Sequence, residues 1–138
     1  MPRTMQTYRA SHTRGYSAVR QARISLTAFA ARCGFANGSL DDVESAVGEA
    51  LANAVEHGNR GAEAGFDVWA TFDDARLVIE VKDHGAGFDS EGAPACAAPD
   101  VEGARGFGIF LMLQLMDEIA YSDRGSRIQL VKRASFSH

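Results

Sequence analysis

The clearest pattern of apolar and polar positions runs through residues 44–59, ESAVGEALANAVEHGN. Its apolar positions recur at helical spacing and, together with the residue before the segment, form one stripe: Val43, Val47, Ala50, Leu51 and Ala54. Glu49 and Asn53 stand four positions apart, so they share one face along the edge of this stripe, and His57 continues the row. The pattern predicts an amphipathic helix whose polar edge is either solvated or turned into a cleft. For a helix taken alone, solvation is the commoner case.

A second helical pattern occupies residues 16–33, and Gly34 follows it where a helix would end. The apolar stripe of this helix consists of Val19, Ala22, Leu26, Phe29 and Cys33. Four arginines lie in or next to the same region: Arg14, Arg20, Arg23 and Arg32. They form either a docking surface for an acidic partner or, as such charge runs usually do, an ordinary solvated face.

A turn at residues 37–39 separates the two predicted helices. Ser39 is the predicted N-cap of the second helix, because its hydroxyl can accept a hydrogen bond from a backbone amide of the first turn. Asp41 and Asp42 would then lie within that turn, where the helix dipole favours negative charge. The glycines within residues 58–61 predict the end of this helix.

Alternation of apolar and polar residues predicts four or five short strands, at residues 5–10, 66–72, 76–82, 118–122 and 126–132. The first of these is predicted to be an edge strand, and the polar residues 11–15 after it a flexible loop. Only three residues separate the second strand from the third, which indicates an antiparallel hairpin. Trp69 and Phe72 on this hairpin are predicted to belong to the core.

The last third of the chain begins with a change of composition. Residues 89–102 are rich in alanine, proline, glycine and acidic residues without periodicity, which predicts a loop as long as many lids and binding loops. Residues 105–115 return to a helical pattern. The whole pattern predicts an α+β fold, a two-layer sandwich with three helices on one face of a mostly antiparallel sheet. We expect one domain over residues 1–138, with flexible ends at about 1–4 and 134–138.

Composition and charge narrow the functional classes. Hydrophobic residues make up 46% of the chain and charged residues 23%, as in ordinary globular proteins, and the net charge of −4 argues against a general nucleic-acid binder. Cys33 and Cys96 provide neither a disulfide framework nor a metal-ligand spacing. Because the N-terminal residues lack the apolar run of a signal peptide and no stretch approaches membrane-spanning length, we expect a cytoplasmic protein.

Two glycine-rich segments carry the candidate chemistry. Residues 83–87, DHGAG, directly follow a predicted strand, where glycines allow the backbone to approach a ligand closely. Residues 103–108, GARGFG, lead into the third helix, and free amides at a helix N-terminus are suited to holding phosphates. Each segment alone is equally consistent with an ordinary turn. A Rossmann fingerprint is disfavoured because no βαβ unit is predicted, and a Walker A loop because Gly-Lys-Ser/Thr is absent.

The order of these segments after Glu49 and Asn53 resembles the N, G1 and G2 boxes of the GHKL ATPase superfamily, which includes gyrase, heat-shock chaperone, histidine kinase and mismatch-repair ATPases. Within it the chain is most similar to the small anti-sigma-factor serine kinases, through its compact length and the sequences AxxNAVEHGN and RGFGIFLMLQLMDEI. No phosphoacceptor-histidine helix precedes the N box, so a sensor histidine kinase is not expected. The resemblance implies a Bergerat ATP-binding fold.

The resemblance also implies roles for individual residues. Glu49 would be the catalytic general base, and Asn53 would coordinate a Mg²⁺ ion that bridges the phosphates of ATP. Asp83 would accept a hydrogen bond from the adenine amino group, and an ATP lid would span residues 88–104 or so. The remaining ATP-binding residues that the resemblance implies are Gly85, Gly87, Phe88, Gly103, Arg105, Gly106, Phe107, Gly108 and Ser126.

The implied function is that of an ATP-dependent serine/threonine protein kinase acting as an anti-sigma factor. Its substrate would be an anti-sigma-factor antagonist of the STAS type, and it would sequester a sigma factor or another regulator. A homodimer formed through the N-terminal strand and first helix is expected, whereas nucleic acid and membrane are not. Two alternatives stay open: an ATP-gated binding module with little or no kinase activity, and an ATPase module within a larger assembly. Glu49 favours the kinase, because a pure binder does not need a base.

Overall fold

The computed structural model describes residues 5–12, 16–58, 65–83, 104–122 and 127–134, with the backbone alone at 16, 56–58 and 104–107. Over these ranges the chain forms three helices and five strands, which confirms the predicted α+β class. The helices are α1 (Tyr16–Arg32), α2 (Asn37–Gly58) and α3 (Ala104–Leu115). The strands are β1 (Gln6–His12), β2 (Phe66–Phe72), β3 (Arg76–Asp83), β4 (Glu118–Ser122) and β5 (Arg127–Arg133).

The five strands form one sheet in the order β1-β2-β3-β5-β4, and each pairing between described strands is antiparallel. The predicted hairpin is confirmed: Phe72 pairs with Leu77 beside the turn, and Phe66 pairs with Asp83 at the open end. β1 is an edge strand as predicted, although it continues two residues beyond its expected end, to His12. Side-chain alternation specifies this register, because a slip of one residue would turn every buried side chain outward.

The core lies between the sheet and the helices on one of its faces. The predicted stripe of α2 is buried along its whole length: Val43, Val47, Ala50, Leu51 and Ala54. α2 packs against α1, α3 and β3. Because burial of one large aliphatic side chain contributes roughly 1.5–3 kcal/mol, this stripe determines how α2 is rotated about its axis. None of the described helices has the length and apolar character needed to cross a membrane.

α1 ends, as predicted, at a glycine in the left-handed conformation. Gly34 has a φ of 114°, and its amide donates to the carbonyl of Ala31 at 3.0 Å. The amide of Phe35 donates to the carbonyl of Ala30 at 3.1 Å. These two bonds form a Schellman cap, which satisfies carbonyls that would otherwise lack partners at the helix end. The cap also directs the Phe35 ring into the core, where its centroid lies 5.8 Å from that of Phe72.

The start of α2 differs from the predicted boundary. The amide of Leu40 donates to the carbonyl of Ala36 at 3.2 Å, and the helix begins at Asn37, two residues before the predicted N-cap Ser39. The aspartates at 41–42 therefore lie beyond the first turn, which contains no acidic residue. Asn37 has a φ of 53°, a left-handed conformation that asparagine tolerates better than most residues. This residue allows the chain to turn from α1 into α2 within a short connection.

Trp69 does not lie in the core, so that prediction is wrong. The buried residues of β2 are Phe66, Val68, Ala70 and Phe72. Trp69 consequently lies on the opposite face of the sheet, which no described helix covers. There the guanidinium groups of Arg9 and Arg127 lie 5.6 and 5.3 Å from its ring centroid. Trp69 and Phe72 are three positions apart, and in a strand such a pair must lie on opposite faces.

Gly38, in the first turn of α2, provides a test of this helix start. No atom lies within 4 Å of the position that a Cβ would take there. Alanine would restrict the unfolded chain without a clash, so we expect Gly38→Ala to raise the free energy of unfolding by roughly 0.4–1 kcal/mol. Urea denaturation followed by circular dichroism measures the difference. A lower free energy of unfolding in the variant would contradict the helical conformation at this position.

Candidate functional site

Glu49 lies directly against the N-terminal half of α3. A Cβ built on Gly108 would stand 2.8 Å from Oε1 of Glu49 and 3.2 Å from its Cδ. The first distance is shorter than a Cβ atom tolerates and the second is tighter than most such contacts, so the carboxylate occupies the space that a side chain at residue 108 would need. Glu49 is itself half-buried. Its carboxylate therefore reaches α3 from the border of the core rather than from open solvent.

Lys132 shows the relative direction of α2 and α3. Its Nζ atom donates to the carbonyl oxygen of Leu115 at 2.6 Å and to Oδ2 of Asp42 at 3.3 Å. The last residue of α3 thus lies beside the early part of α2. The contact between Glu49 and Gly108 lies seven residues further along α2 and seven residues back along α3. The two helices therefore run antiparallel, and the N-terminus of α3 points towards the C-terminal end of α2.

The contact between Lys132 and Asp42 gives a common reference point for the positions of Asp83 and Asn53. Lys132, which contacts Asp42, pairs with Leu77, so the early part of α2 lies over the beginning of β3. Asp83 lies six residues beyond Leu77, about 20 Å along a strand. Asn53 lies eleven residues beyond Asp42, about 16 Å along a helix. α2 packs on β3, and the two distances are similar, which is compatible with a site that both residues share.

Among the described residues, Asp83 is the one charged residue that is buried, and 5% of its surface is exposed. It occupies an inward-facing position of β3, in alternation with three apolar side chains: Leu77, Ile79 and Val81. A carboxylate is costly to bury unless hydrogen bonds compensate for the lost hydration, and packing alone would favour an apolar residue at this position. Asp83 is thus the polar exception on this face of β3, and it lies at the end of the strand.

Asn53 is half-buried at the edge of the apolar stripe. Its Nδ2 atom is buried and has no hydrogen-bond partner among the residues that the structure describes. Buried polar groups are nearly always hydrogen-bonded, so an unpaired one indicates a group that a ligand could satisfy. A carboxamide also carries an oxygen, which is the type of ligand that Mg²⁺ prefers. The residue therefore fits a site for a metal-bound phosphate.

His12 is a residue of this region that the sequence analysis missed. It pairs with Phe66, which pairs with Asp83, so the three residues form one row across the sheet. The imidazole stacks on the Phe66 ring with centroids 5.1 Å apart, and its Nε2 atom is buried without a hydrogen-bond partner in the described part of the chain. Burial lowers the pKa of His12, and the nearby Asp67 carboxylate partly opposes this shift. The predicted first strand ended at residue 10, and its extension by two residues would have included His12.

Several predicted site residues lie outside the described residues: Gly85, Gly87, Phe88, Gly103 and Ser126. For three more, in the first turn of α3, the backbone alone is described: Arg105, Gly106 and Phe107. Of the others, the structure brings Glu49 and Gly108 into contact, while Asn53 lies one turn after Glu49 on α2 and Asp83 is the last residue of β3. The carboxylate of Glu49 thus lies against the helix whose N-terminus is suited to holding phosphates, and the carboxamide of Asn53 follows it one turn later on α2.

Comparison with known proteins identifies the family. The sequence profile of the histidine kinase-like ATPase domain family matches residues 14–132, a range that begins just before α1 and ends within β5. The chain therefore belongs to the histidine kinase-like ATPase family. The resemblance inferred from the three sequence boxes is confirmed at this level.

The relatives with established names are bacterial regulators. The serine-protein kinase RsbW of Listeria monocytogenes is 34% identical over 119 residues, which cover 80% of this chain and 76% of the relative. The anti-sigma F factor of Clostridium acetobutylicum is 31% identical over 121 residues, 84% of each chain. The serine-protein kinase RsbW of Staphylococcus epidermidis is 32% identical over 121 residues, with coverage of 80% and 76%. These names agree with the subgroup that the sequence resembles.

The half-buried imidazole of His12 predicts a pH-dependent stability. Because its pKa is lowered in the folded chain, the unfolded chain binds the proton more readily, and stability is lost as the pH falls below the ordinary value of 6.5. We expect the urea midpoint to fall between about pH 7.5 and about pH 5.5 by more in the wild type than in His12→Phe. The variant keeps an aromatic ring against Phe66 but cannot be protonated. Equal losses in both proteins would contradict a lowered pKa of His12 in the folded chain.

Proposed function

We propose that this chain is an ATP-dependent serine/threonine protein kinase that acts as an anti-sigma factor and phosphorylates an anti-sigma-factor antagonist in a partner-switching circuit. The names of its relatives, serine-protein kinase RsbW and anti-sigma F factor, support this function. The observation that carries the proposal is the contact between Glu49 and Gly108. It brings a carboxylate beside the helix whose N-terminus is suited to holding the phosphates of ATP.

The proposed ATP site lies at the end of the sheet where Asp83 ends β3. Its carboxylate accepts a hydrogen bond from the adenine amino group, which guanine does not present at that position. The amides and the dipole at the N-terminus of α3 favour the negative charge of the phosphates. The other ATP-binding residues of the proposal are Gly85, Gly87, Phe88, Gly103, Arg105, Gly106, Phe107, Gly108 and Ser126.

Asn53 is the proposed Mg²⁺ ligand. Its buried Nδ2 atom has no hydrogen-bond partner among the described residues, so it is available to donate to a phosphate oxygen while Oδ1 binds the metal. When bound, Mg²⁺ neutralises charge that develops on the phosphates during transfer. Asn53 and Glu49 lie one turn apart on the same face of α2, so the metal ligand and the proposed base share one rigid support.

Glu49 is the proposed general base. Phosphoryl transfer needs mainly a positioned phosphate and an oriented nucleophile. The substrate serine oxygen forms a bond to the γ-phosphorus, the bond from that phosphorus to the bridging oxygen breaks, and ADP leaves. The carboxylate of Glu49 accepts the serine proton as this occurs. The half-buried position of Glu49 limits the number of its conformations and so supports this role.

The remaining parts of the proposal concern partners and location. The antagonist is a STAS-type protein, and the sequestered partner is a sigma factor or another regulator. The kinase is a cytoplasmic homodimer whose single domain covers residues 1–138 and whose activity involves neither nucleic acid nor a membrane. The position of β1 at the edge of the sheet supports the dimer, because its outer side pairs with no described strand.

Asn53→Ala tests the metal assignment. We expect the variant to lose Mg²⁺-dependent ATP affinity by roughly ten-fold or more, because one ligand to a charged group is removed. Its free energy of unfolding should change by less than about 1 kcal/mol, since no described hydrogen bond is lost. Calorimetric titration with ATP, in Mg²⁺ and in EDTA, measures the affinity, and urea denaturation is the control. Unchanged affinity for Mg·ATP would exclude Asn53 as a ligand.

Glu49→Gln tests the kinase itself. Loss of a general base typically lowers a rate by 10²–10⁴-fold, so we expect phosphotransfer to fall by at least about two orders of magnitude. ATP affinity should stay near the wild-type value, because glutamine keeps the shape of the side chain and the proposed nucleotide contacts lie elsewhere. The measurement is transfer of radiolabelled phosphate to the antagonist, beside a calorimetric ATP titration of the same protein.

Two outcomes of this experiment would contradict the proposal in different ways. Transfer at the wild-type rate by Glu49→Gln would remove this residue from the mechanism while leaving the kinase intact. Absence of transfer by the wild type, with intact ATP binding and with candidate antagonists supplied, would favour the ATP-gated binding module instead.

A further inference from the structure

Gly108 occupies a position of α3 that its backbone does not require to be glycine. It is the fifth residue of the helix, and the described glycine with a positive φ is Gly34 rather than Gly108. Glycine within a helix is destabilising relative to alanine, because it loses more backbone entropy on folding. A packing or functional requirement must therefore offset this loss.

The contact with Glu49 supplies that requirement. The three atoms nearest to a Cβ at residue 108 all belong to Glu49: Oε1 at 2.8 Å, Cδ at 3.2 Å and Cγ at 3.6 Å. A methyl group at this position would meet the free end of a flexible side chain rather than backbone. Alanine would consequently be accommodated by movement of the carboxylate, at little cost to the packing of the two helices.

We propose that Gly108 is a positioning residue for the general base. The space left by its missing side chain holds the Glu49 carboxylate one turn from Asn53, at the border of the core. This proposal rests on the role of Glu49 under the proposed function and assigns α3 a task in addition to phosphate binding. Alanine at residue 108 retains the backbone amide, so it removes the space for the carboxylate without removing a main-chain donor for phosphate.

A kinetic cycle tests the positioning role. A displacement of about 1 Å at a reacting group can cost about 10²-fold in rate, so we expect Gly108→Ala to lower phosphotransfer by roughly that factor. ATP affinity should remain within about three-fold of wild type, because the phosphate-binding amides are retained. In the Glu49→Gln background the same substitution should cause no further loss, since the base is already absent. Gly38→Ala, the matched control on α2, should leave transfer unchanged.

A stability cycle tests the contact independently of catalysis. In the Glu49→Ala background the carboxylate atoms nearest to the added methyl group are absent, so Gly108→Ala should raise the urea midpoint, as alanine does in a helix. In the wild-type background the methyl group must displace the carboxylate, and the rise should be smaller or absent. Equal shifts in the two backgrounds would show that residue 108 does not compete with Glu49 for space and would overturn the proposal.

The two cycles separate this proposal from the proposed function. A parallel loss of ATP affinity and transfer in both the wild-type and Glu49→Gln backgrounds would mean that Gly108 acts on the phosphates, which also overturns the positioning role. Absence of transfer in the wild type would overturn the kinase and with it the base. In that case the stability cycle would still decide whether the carboxylate is held by the space at Gly108.

Discussion

Burial of the apolar stripe on α2 is the constraint on which the candidate site depends. The stripe packs against α1, α3 and β3, and it leaves Glu49 and Asn53 half-buried along its edge. Neighbouring residues of a helix are separated by about 100° around its axis. Rotation of α2 by a fraction of that angle would therefore move the Glu49 carboxylate into apolar surroundings, where a charge is costly. The hydrophobic core therefore orients the polar row, and the space at Gly108 adds a local contact for the Glu49 carboxylate.

A second constraint determines the direction of α3. The ammonium group of Lys132 on β5 binds the carbonyl of Leu115 and the carboxylate of Asp42, so the sheet fixes the C-terminal end of α3 against α2. A cation at this end also suits the helix dipole. Because the contact between Gly108 and Glu49 fixes the other half of the helix, the N-terminus of α3 is directed at the candidate site by interactions on two sides.

The sequence predicted the features that depend on local periodicity or on motif spacing. The buried stripe of α2, the hairpin of β2 and β3, the cap at Gly34 and the placement of Glu49 on the edge of the core are of this kind. Two predictions were wrong because one local preference was weighed above another. Ser39 was predicted as the N-cap because its side chain suits that role, but the helix already begins at Asn37. Trp69 was predicted to be buried because it is hydrophobic, although the alternation of side chains along β2 places it on the opposite face from Phe72. Two other features bring together residues that are far apart in the chain, so local patterns could not predict them. The row through His12 depends on the register of β1 against β2, and the contact between residues 49 and 108 depends on the direction of α3 relative to α2.

The position of Trp69 has a spectroscopic consequence. It is the single tryptophan of the chain, and it lies on the face of the sheet opposite α1, α2 and α3, in contact with two guanidinium groups. Indole emission responds to nearby charge and to water, so the intrinsic fluorescence of the protein originates from the outer face of the sheet. Glu49 and Asn53 lie across the sheet from this fluorophore. The molecule thus carries a natural optical label that reports association at its outer surface separately from events among its helices.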